Sequence, residues 1–255
     1  LTCDYNVTTQ AACEPKPPIA CVFWGDPHMY GYGSSVNYLM RGSCWHTLTT
    51  DIDCPEGVGD DRFAIVGKFK IKKPTVDRSY LEKLRVKLKL DDGSWIMFNL
   101  DQGPTASYID ENGVEHAIAD SEYPYSQHGM VLRRSVHPHT DFGGEFEFAQ
   151  VVITLAFPPD NMMLRWDGEK RLKITLPPAM HGHVCGMCGP IEDFTGDLLI
   201  GPHDNATPTN DHCYPKAAGL PQHATTHDKD EFAGSWYVQE PDEDADCLAE
   251  CNAGP

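Results

Sequence analysis

The sequence has no long run of apolar residues and no segment with the apolar stripe of an amphipathic helix. A membrane-spanning helix needs about 20 mainly apolar residues in a row, so we expect no insertion into a membrane. Amphipathic helices would repeat apolar residues every three or four positions, and no segment shows this pattern. The sequence also contains no internal repeat of a longer unit. With these absences, a single all-β domain is the expected fold. A chain of 255 residues is long enough for such a domain to bury a substantial core.

Basic residues are scarce. The chain has 20 lysines and arginines against 38 aspartates and glutamates, for a formal charge of -18. Nucleic acids and anionic membranes are unfavourable partners, because they would repel this charge and no basic stripe is evident in the sequence. Cations or basic proteins fit better, although acidity also simply keeps an extracellular protein in solution.

Catalytic signatures are missing too. The sequence has no Gly-x-Ser-x-Gly, no HExxH and no phosphate-binding glycine loop. No pair of carboxylates stands out on a predicted strand. The chain is therefore expected not to be an enzyme.

Cysteine is plentiful by contrast, with ten residues. Cys185-Gly186-Met187-Cys188 alone fits a redox couple, half of a zinc site, or anchors for two disulfides. A zinc site of this kind normally needs a second CxxC or a suitably spaced Cys/His pair, which is not evident. The other eight cysteines are single and the total is even, which favours disulfides: Cys3, Cys13, Cys21, Cys44, Cys54, Cys213, Cys247 and Cys251.

Two glycosylation sequons, at Asn6 and Asn205, agree with passage through the secretory pathway. The first residue is Leu1, as it would be after removal of a signal peptide, and a trimmed chain would look the same. Together with the cysteines, these features predict a secreted, extracellular glycoprotein.

Alternating residues predict short strands joined by tight turns. The segment 84–90 alternates apolar and basic residues, then reaches Asp91-Asp92-Gly93-Ser94 before residues 95–98, which is typical of a β-hairpin with one solvated face. Similar patterns predict further strands at 63–66, 108–109 turning at 111–113, 146–157, 162–166 and 171–176. Such a series is typical of an antiparallel β-sandwich of two sheets.

Two segments lack this alternation. Residues 1–20 form an irregular amino-terminal segment, and residues 201–230 are rich in Pro, His, Asn, Asp and Thr. We expect the second segment to be a long surface loop, held partly by Cys213.

Five motifs in sequence resemble one known family. They are residues 21–28 (CVFWGDPH), 42–44 (GSC), 166–168 (WDG), 184–189 (VCGMCG) and 231–236 (EFAGSW). In this order and spacing they resemble a von Willebrand factor type D domain, which would occupy residues 21–255. The resemblance implies a disulfide-stapled, calcium-associated sandwich of two antiparallel sheets, found in mucins, clotting and matrix proteins, egg-yolk lipoproteins and some BMP-binding proteins.

The resemblance also implies a disulfide pattern: Cys21 with Cys188, Cys44 with Cys247, and Cys54 with Cys185. Each half of the CxxC then holds a different early strand, which excludes a dithiol switch. Of the three ways to pair the remaining four cysteines, Cys3–Cys13 with Cys213–Cys251 closes the shorter loops. Because no cysteine is left over, covalent multimers are not expected.

Calcium is the cofactor that the family implies, held by the segment after the CGxCG motif and by an aspartate in a Thr-Phe-Asp-Gly stretch. This chain retains Glu192, Asp193 and Asp197 in that segment, with Pro190 at the usual asparagine position. Residues 31–34 read Gly-Tyr-Gly-Ser in place of the second motif. A Ca²⁺ site, which needs six to eight oxygen ligands, and a set of solvated carboxylates both remain open.

Histidine offers a competing metal site among the twelve in the chain. His137 with His139 and His181 with His183 each place two imidazoles at i and i+2, on one face of an extended backbone, which suits Zn²⁺ or Cu²⁺. Scattered surface histidines are the commoner explanation of such spacing.

Asp26-Pro27 is a labile bond, because the carboxyl group can attack its own carbonyl carbon. Some relatives with this motif, including certain mucins, cleave themselves there, although Pro27 in a purely structural role is the simpler interpretation.

The predicted function is a non-catalytic structural or binding component of an extracellular material such as matrix, mucus, egg coat or shell, with other extracellular proteins or glycans as partners. Metal binding or transport by histidines and the acidic loop is one alternative. A luciferase-like oxidative enzyme is another, since certain marine luciferases contain domains resembling this one.

Overall fold

The computed structural model of the chain shows an antiparallel sandwich of two sheets. It describes residues 18–25, 28–32, 37–39, 44–52, 54, 62–73, 76–103, 105–137, 150–157, 162–180, 182–189, 236, 238 and 240. The predicted all-β, disulfide-stapled fold is confirmed, and within these ranges the only helices are two short 3-10 turns at Asp120–Glu122 and Pro178–Met180. No helix in the described ranges is long and apolar enough to cross a membrane.

Fourteen strands lie within the described residues. In chain order they are β1 (Ile19–Trp24), β2 (His28–Tyr30), β3 (Asn37–Leu39), β4 (Cys44–Thr50), β5 (Phe63–Lys73), β6 (Val76–Lys89), β7 (Trp95–Asp101), β8 (Thr105–Ile109), β9 (Glu115–Ile118), β10 (Tyr125–Gln127), β11 (Met130–His137), β12 (Gln150–Phe157), β13 (Met162–Trp166) and β14 (Arg171–Leu176). One sheet has eight strands in the order β10-β11-β12-β13-β14-β1-β2-β3, and the other has six, β4 to β9 in sequence order.

The predicted hairpin at 84–98 is the β6–β7 pair, in which Lys87 lies opposite Met97 and Lys89 opposite Trp95. Its turn forms because Asp92 Oδ1 accepts hydrogen bonds from both the backbone N–H and the hydroxyl of Ser94, a local pattern that favours turns. Strand β6 is longer than the alternating pattern predicted. It begins at Val76 and pairs along most of its length with β5.

The core lies between the two sheets, where the inward residues of every second position meet. It contains the largest fully buried side chains of both sheets, among them Trp166 and Phe23 from the eight-stranded sheet and Phe63, Phe69 and Phe98 from the six-stranded sheet. From Lys83 to Lys89 the alternate positions of β6 point outward and are basic. The alternation predicted that this outer face is solvated, and Lys89 is exposed there, whereas Arg85 is buried.

Candidate functional site

The Cys185–Cys188 turn joins the two sheets covalently. Cys188 is bonded to Cys21 on β1 of the eight-stranded sheet, and Cys185 to Cys54, which follows β4 of the six-stranded sheet. These are the two pairs that the family resemblance implies, with Cα–Cα distances of 5.7 and 5.6 Å. Because Cys188 is bonded to Cys21 and Cys185 to Cys54, neither thiol is free, and the redox and zinc interpretations of the motif are excluded.

The same turn also covers one edge of β4. Cys185 N–H donates to the Thr50 carbonyl at 2.8 Å, and Thr50 N–H donates to the Cys185 carbonyl at 2.9 Å. Cys188 N–H donates to the Leu48 carbonyl at 2.9 Å. Gly186 fits there with φ of 127°, and a Cβ at this position would lie 2.5 Å from the Leu48 oxygen. Glycine is therefore required by both backbone conformation and space.

Residues near the carboxyl end cover the rest of that edge. Thr47 N–H donates to the Trp236 carbonyl at 2.8 Å, and Val238 N–H donates to the Trp45 carbonyl at 3.0 Å. An exposed strand edge is a template for pairing with other chains. This edge of β4 is instead occupied by the CxxC turn, Trp236 and Val238.

Glu240 is buried against the outer face of the six-stranded sheet. Its side chain is 2% exposed and accepts a 2.7 Å hydrogen bond from Arg85 Nη1, and its second oxygen accepts one from Lys87 Nζ. A buried carboxylate needs this pairing, because desolvation of an unpaired charge would be costly.

A polar network continues across the sheet from Arg85. Arg85 Nε donates to Asn99 Oδ1 at 2.9 Å, and the Asn99 amide donates to Glu115 at 3.1 Å. Ser107 also donates to Glu115, and this hydrogen bond, followed by that of Asn99, lowers the pKa of the Glu115 carboxyl. The Arg85 guanidinium also lies 4.8 Å from the ring centroid of the buried Trp45.

The Trp166-Asp167-Gly168 turn links the sheets at another point. Trp166 Nε1 donates to the Asp101 carbonyl at the end of β7, at 3.0 Å. Asp167 Oδ1 accepts three backbone N–H bonds, from Glu169 to Arg171, which shape the β13–β14 turn. Burial raises the pKa of the Asp167 carboxyl in spite of these hydrogen bonds. The motif thus has a structural explanation within the chain.

Most of the predicted metal residues lie outside the described residues. Glu192, Asp193, Asp197, His139 and His181 lie outside them, and His183 is exposed after the second 3-10 turn. His137 ends β11. In the part of the chain that the structure describes, no group of three or more His, Cys, Asp or Glu could hold a metal ion.

Several further predictions also fall outside the described residues: the sequons at Asn6 and Asn205, the Asp26-Pro27 bond, the 1–17 part of the amino-terminal segment, the 201–230 loop, and Cys3, Cys13, Cys213, Cys247 and Cys251. Cys44 is disulfide-bonded. Beside the Asp26-Pro27 bond, Trp24 and His28 lie opposite each other on β1 and β2, with their rings stacked at 4.7 Å.

Sequence reasoning missed two features of the six-stranded sheet. Glu240 contacts Arg85 from 155 positions away, and no local pattern could indicate this. His46 on β4 is fully buried against Phe69, with ring centroids 5.7 Å apart, and burial lowers its pKa to about 4. Its neighbours Cys44, Trp45 and Leu48 were the available signal of a buried strand.

Comparison with known proteins adds the family. The sequence model of the von Willebrand factor type D domain family matches residues 21–202 of this chain. Mouse zonadhesin is 26% identical over 245 residues, which is 94% of this chain and 4% of that protein. The human IgGFc-binding protein is 25% identical over 247 residues, 95% of this chain and 4% of its own length. Rabbit zonadhesin is 22% identical over 191 residues, 75% of this chain and 7% of its own. The chain thus spans only a small fraction of these relatives.

Proposed function

The chain belongs to the von Willebrand factor type D domain family, and from that premise we propose that it is a secreted, non-catalytic structural or binding component of an extracellular material. The partners would be other extracellular proteins or glycans. One relative is by its name a protein that binds the Fc part of IgG, which supports a binding role rather than a catalytic one.

The observation that carries the proposal is the pair of disulfides at the CxxC turn. Cys21–Cys188 and Cys54–Cys185 close sequence separations of 167 and 131 residues and tie the two sheets together. Disulfides of this kind form and persist in oxidising compartments and are rare in the cytosol. A sandwich fixed in this way is suited to hold a constant binding surface outside the cell.

The β4 edge supports the same role. A material component meets many copies of itself and of other proteins, so an open strand edge would be an aggregation hazard. The CxxC turn and Trp236 occupy this edge with backbone hydrogen bonds. Contacts with partners would then be made by side chains on the sheet faces and in the loops.

The test is to follow the protein in the tissue that makes it. We expect it in the medium or the extracellular material, retained there after washing and released by denaturant or high salt. Purified protein added to the washed material should bind saturably, and reduction of its disulfides should abolish this binding. Retention inside the cell, or recovery only as freely soluble protein, would contradict the proposal.

Calcium binding by Glu192, Asp193 and Asp197 is a separate proposal, supported by the place of these residues directly after the CGxCG motif. No step of the proposed function depends on it. Titration calorimetry with CaCl₂ should show binding that Asp193→Asn weakens. Heat changes no larger than buffer dilution, or equal affinity in the variant, would refute it, whereas Zn²⁺ binding with no Ca²⁺ binding would favour the histidine alternative.

A further inference from the structure

Charge is distributed unevenly over this acidic chain. Residues 63–89, which comprise β5, β6 and the two residues between them, hold nine of the 20 basic residues and two of the 38 acidic ones. The hairpin is therefore strongly positive while the rest of the chain is strongly negative. A polyanion would be repelled elsewhere and attracted here.

The outer face of β6 arranges part of this charge in a row. Lys83, Arg85, Lys87 and Lys89 occupy alternate positions, opposite the inward and buried Leu84, Val86 and Leu88. We call these four residues the basic strip. Alternate residues of a strand lie about 7 Å apart on one face, so the strip spaces its positive groups evenly along a line. Arg85 is buried, Lys83 and Lys87 are half-buried, and Lys89 is exposed.

Glu240 shows which groups the basic strip accepts. Its carboxylate sits between Arg85 and Lys87 and contacts both. Glu115 interacts with the same part of the face through Asn99 and Ser107. The strip can therefore bind anionic oxygens, and beyond these two carboxylates it continues to the exposed Lys89.

An aromatic ring lies beside that exposed end. Trp95, opposite Lys89 on β7, is 36% exposed, and the Lys89 ammonium lies 6.0 Å from its ring centroid. The half-buried Met97 and Ile109 follow on the same outer face. An exposed indole next to a cation can stack on the C–H face of a sugar ring while the cation pairs with an acidic substituent.

We propose that the Lys89 end of the basic strip, together with the neighbouring Trp95, is a binding site for a linear sulfated polysaccharide. This deepens the proposed function, on which it rests, by naming the partner class and the surface. The polysaccharide lies along this end of β6, with a sulfate on the exposed Lys89 and one sugar ring on Trp95.

An acidic peptide fits this surface less well. The strip lies on an interior strand whose backbone groups bond to β5 and β7, so a peptide cannot add as a further strand there. It would bind through long acidic side chains, whose ordering costs conformational entropy. A sulfated sugar carries its charges on short ring substituents and loses less freedom on a flat face.

The test measures binding of the folded chain to immobilised heparin, desulfated heparin and polyglutamate, at low and at physiological ionic strength. We expect heparin to bind, desulfated heparin and polyglutamate to bind at least tenfold more weakly, and the affinity to fall with salt as counterion release predicts. Equal binding of polyglutamate would overturn the choice of polysaccharide, and absence of heparin binding would overturn the site.

Matched variants locate the site. Lys89→Glu should weaken heparin binding about tenfold, whereas Lys170→Glu makes the same charge change on the β13–β14 turn and should have little effect. Trp95→Ala should weaken it severalfold, and Trp24→Ala, which removes a similarly exposed indole (38%) from the other sheet, should not. Equal losses in the paired variants would overturn the assignment.

The two proposals fail separately. Saturable retention by extracellular material without heparin binding would overturn only the polysaccharide site. Heparin binding by a protein that stays inside the cell would overturn the proposed function.

Discussion

His46 is expected to make the stability of the fold depend on pH. The ring is fully buried on β4, with Nδ1 3.3 Å from the Cys44 carbonyl oxygen and an edge contact to Phe69. Burial lowers the pKa of the imidazole from 6.5 to about 4, and the hydrogen bond to Cys44 opposes this only in part. The folded protein therefore keeps His46 neutral at pH values where the unfolded chain protonates it.

The sign and size follow from proton linkage. Above pH 6.5, His46 is neutral in both the folded and the unfolded state, so it does not make the unfolding free energy depend on pH. Between pH 6.5 and 4, the unfolded state binds more protons at His46, and acidification therefore favours unfolding. Each pKa unit corresponds to about 1.4 kcal/mol. Acidification from neutral pH to about pH 4 should therefore cost about 3 kcal/mol of unfolding free energy through this residue alone.

Urea denaturation of the oxidised protein at several pH values measures this loss. Other groups also titrate, so the informative quantity is the difference between wild type and His46→Gln. The variant is expected to be less stable at neutral pH but to lose about 3 kcal/mol less on acidification. His183→Gln, which changes an exposed histidine, should lose as much as wild type. An NMR titration placing His46 near pKa 6.5, or equal pH dependence in wild type and His46→Gln, would refute the reasoning.

Three further comparisons of variants with the wild type test how the sheets are held together. Gly186→Ala should destabilise the fold by more than about 2 kcal/mol, because its Cβ meets the Leu48 carbonyl oxygen, whereas Gly93→Ala, in open space at φ 85°, should cost about 1 kcal/mol. Removing one disulfide as Cys54→Ala with Cys185→Ala should cost about 4 to 5 kcal/mol by the chain-entropy model. Glu240→Gln should cost about 3 kcal/mol or more, because Arg85 then loses its buried counter-charge. Urea unfolding monitored by tryptophan fluorescence measures all three.

The outcomes that would contradict these expectations differ. Equal costs for the two glycine variants would mean that the turn moves away from β4. A disulfide variant as stable as wild type would mean that packing alone holds the sheets. If Glu240→Gln were as stable as wild type, Glu240 would have to be exposed to solvent and not buried against Arg85.

Much of the fold could be predicted because it depends on neighbours in sequence. The β6–β7 and β13–β14 hairpins follow from alternation and from the turns at Asp92 and Asp167, whose side chains bond to nearby backbone N–H groups. The five motifs predicted the family, and the family model confirms it over residues 21–202. The disulfides of the CxxC turn came from that resemblance rather than from spacing.

The outer face of the six-stranded sheet was only half predicted. Alternation indicated that Arg85, Lys87 and Lys89 share one face, and that face was expected to be solvated throughout. Arg85 is instead 5% exposed, because Trp45 and Glu240 lie against it. The number of cations on a strand can be read from a sequence, but how many remain available to a ligand depends on what packs over them.

Residue types at short and regular spacing were enough to predict the main hairpins, their turns and the row of cations on β6, and the order of five motifs along the chain was enough to predict the family. The burial of His46, the contact of Gly186 with Leu48, and the pairing of Glu240 with Arg85 beside an exposed Lys89 became visible only in the folded chain. These properties depend on the local dielectric and on contacts between residues up to 155 positions apart. Such contacts exist only once the two sheets have packed together and Trp236, Val238 and Glu240 lie against them.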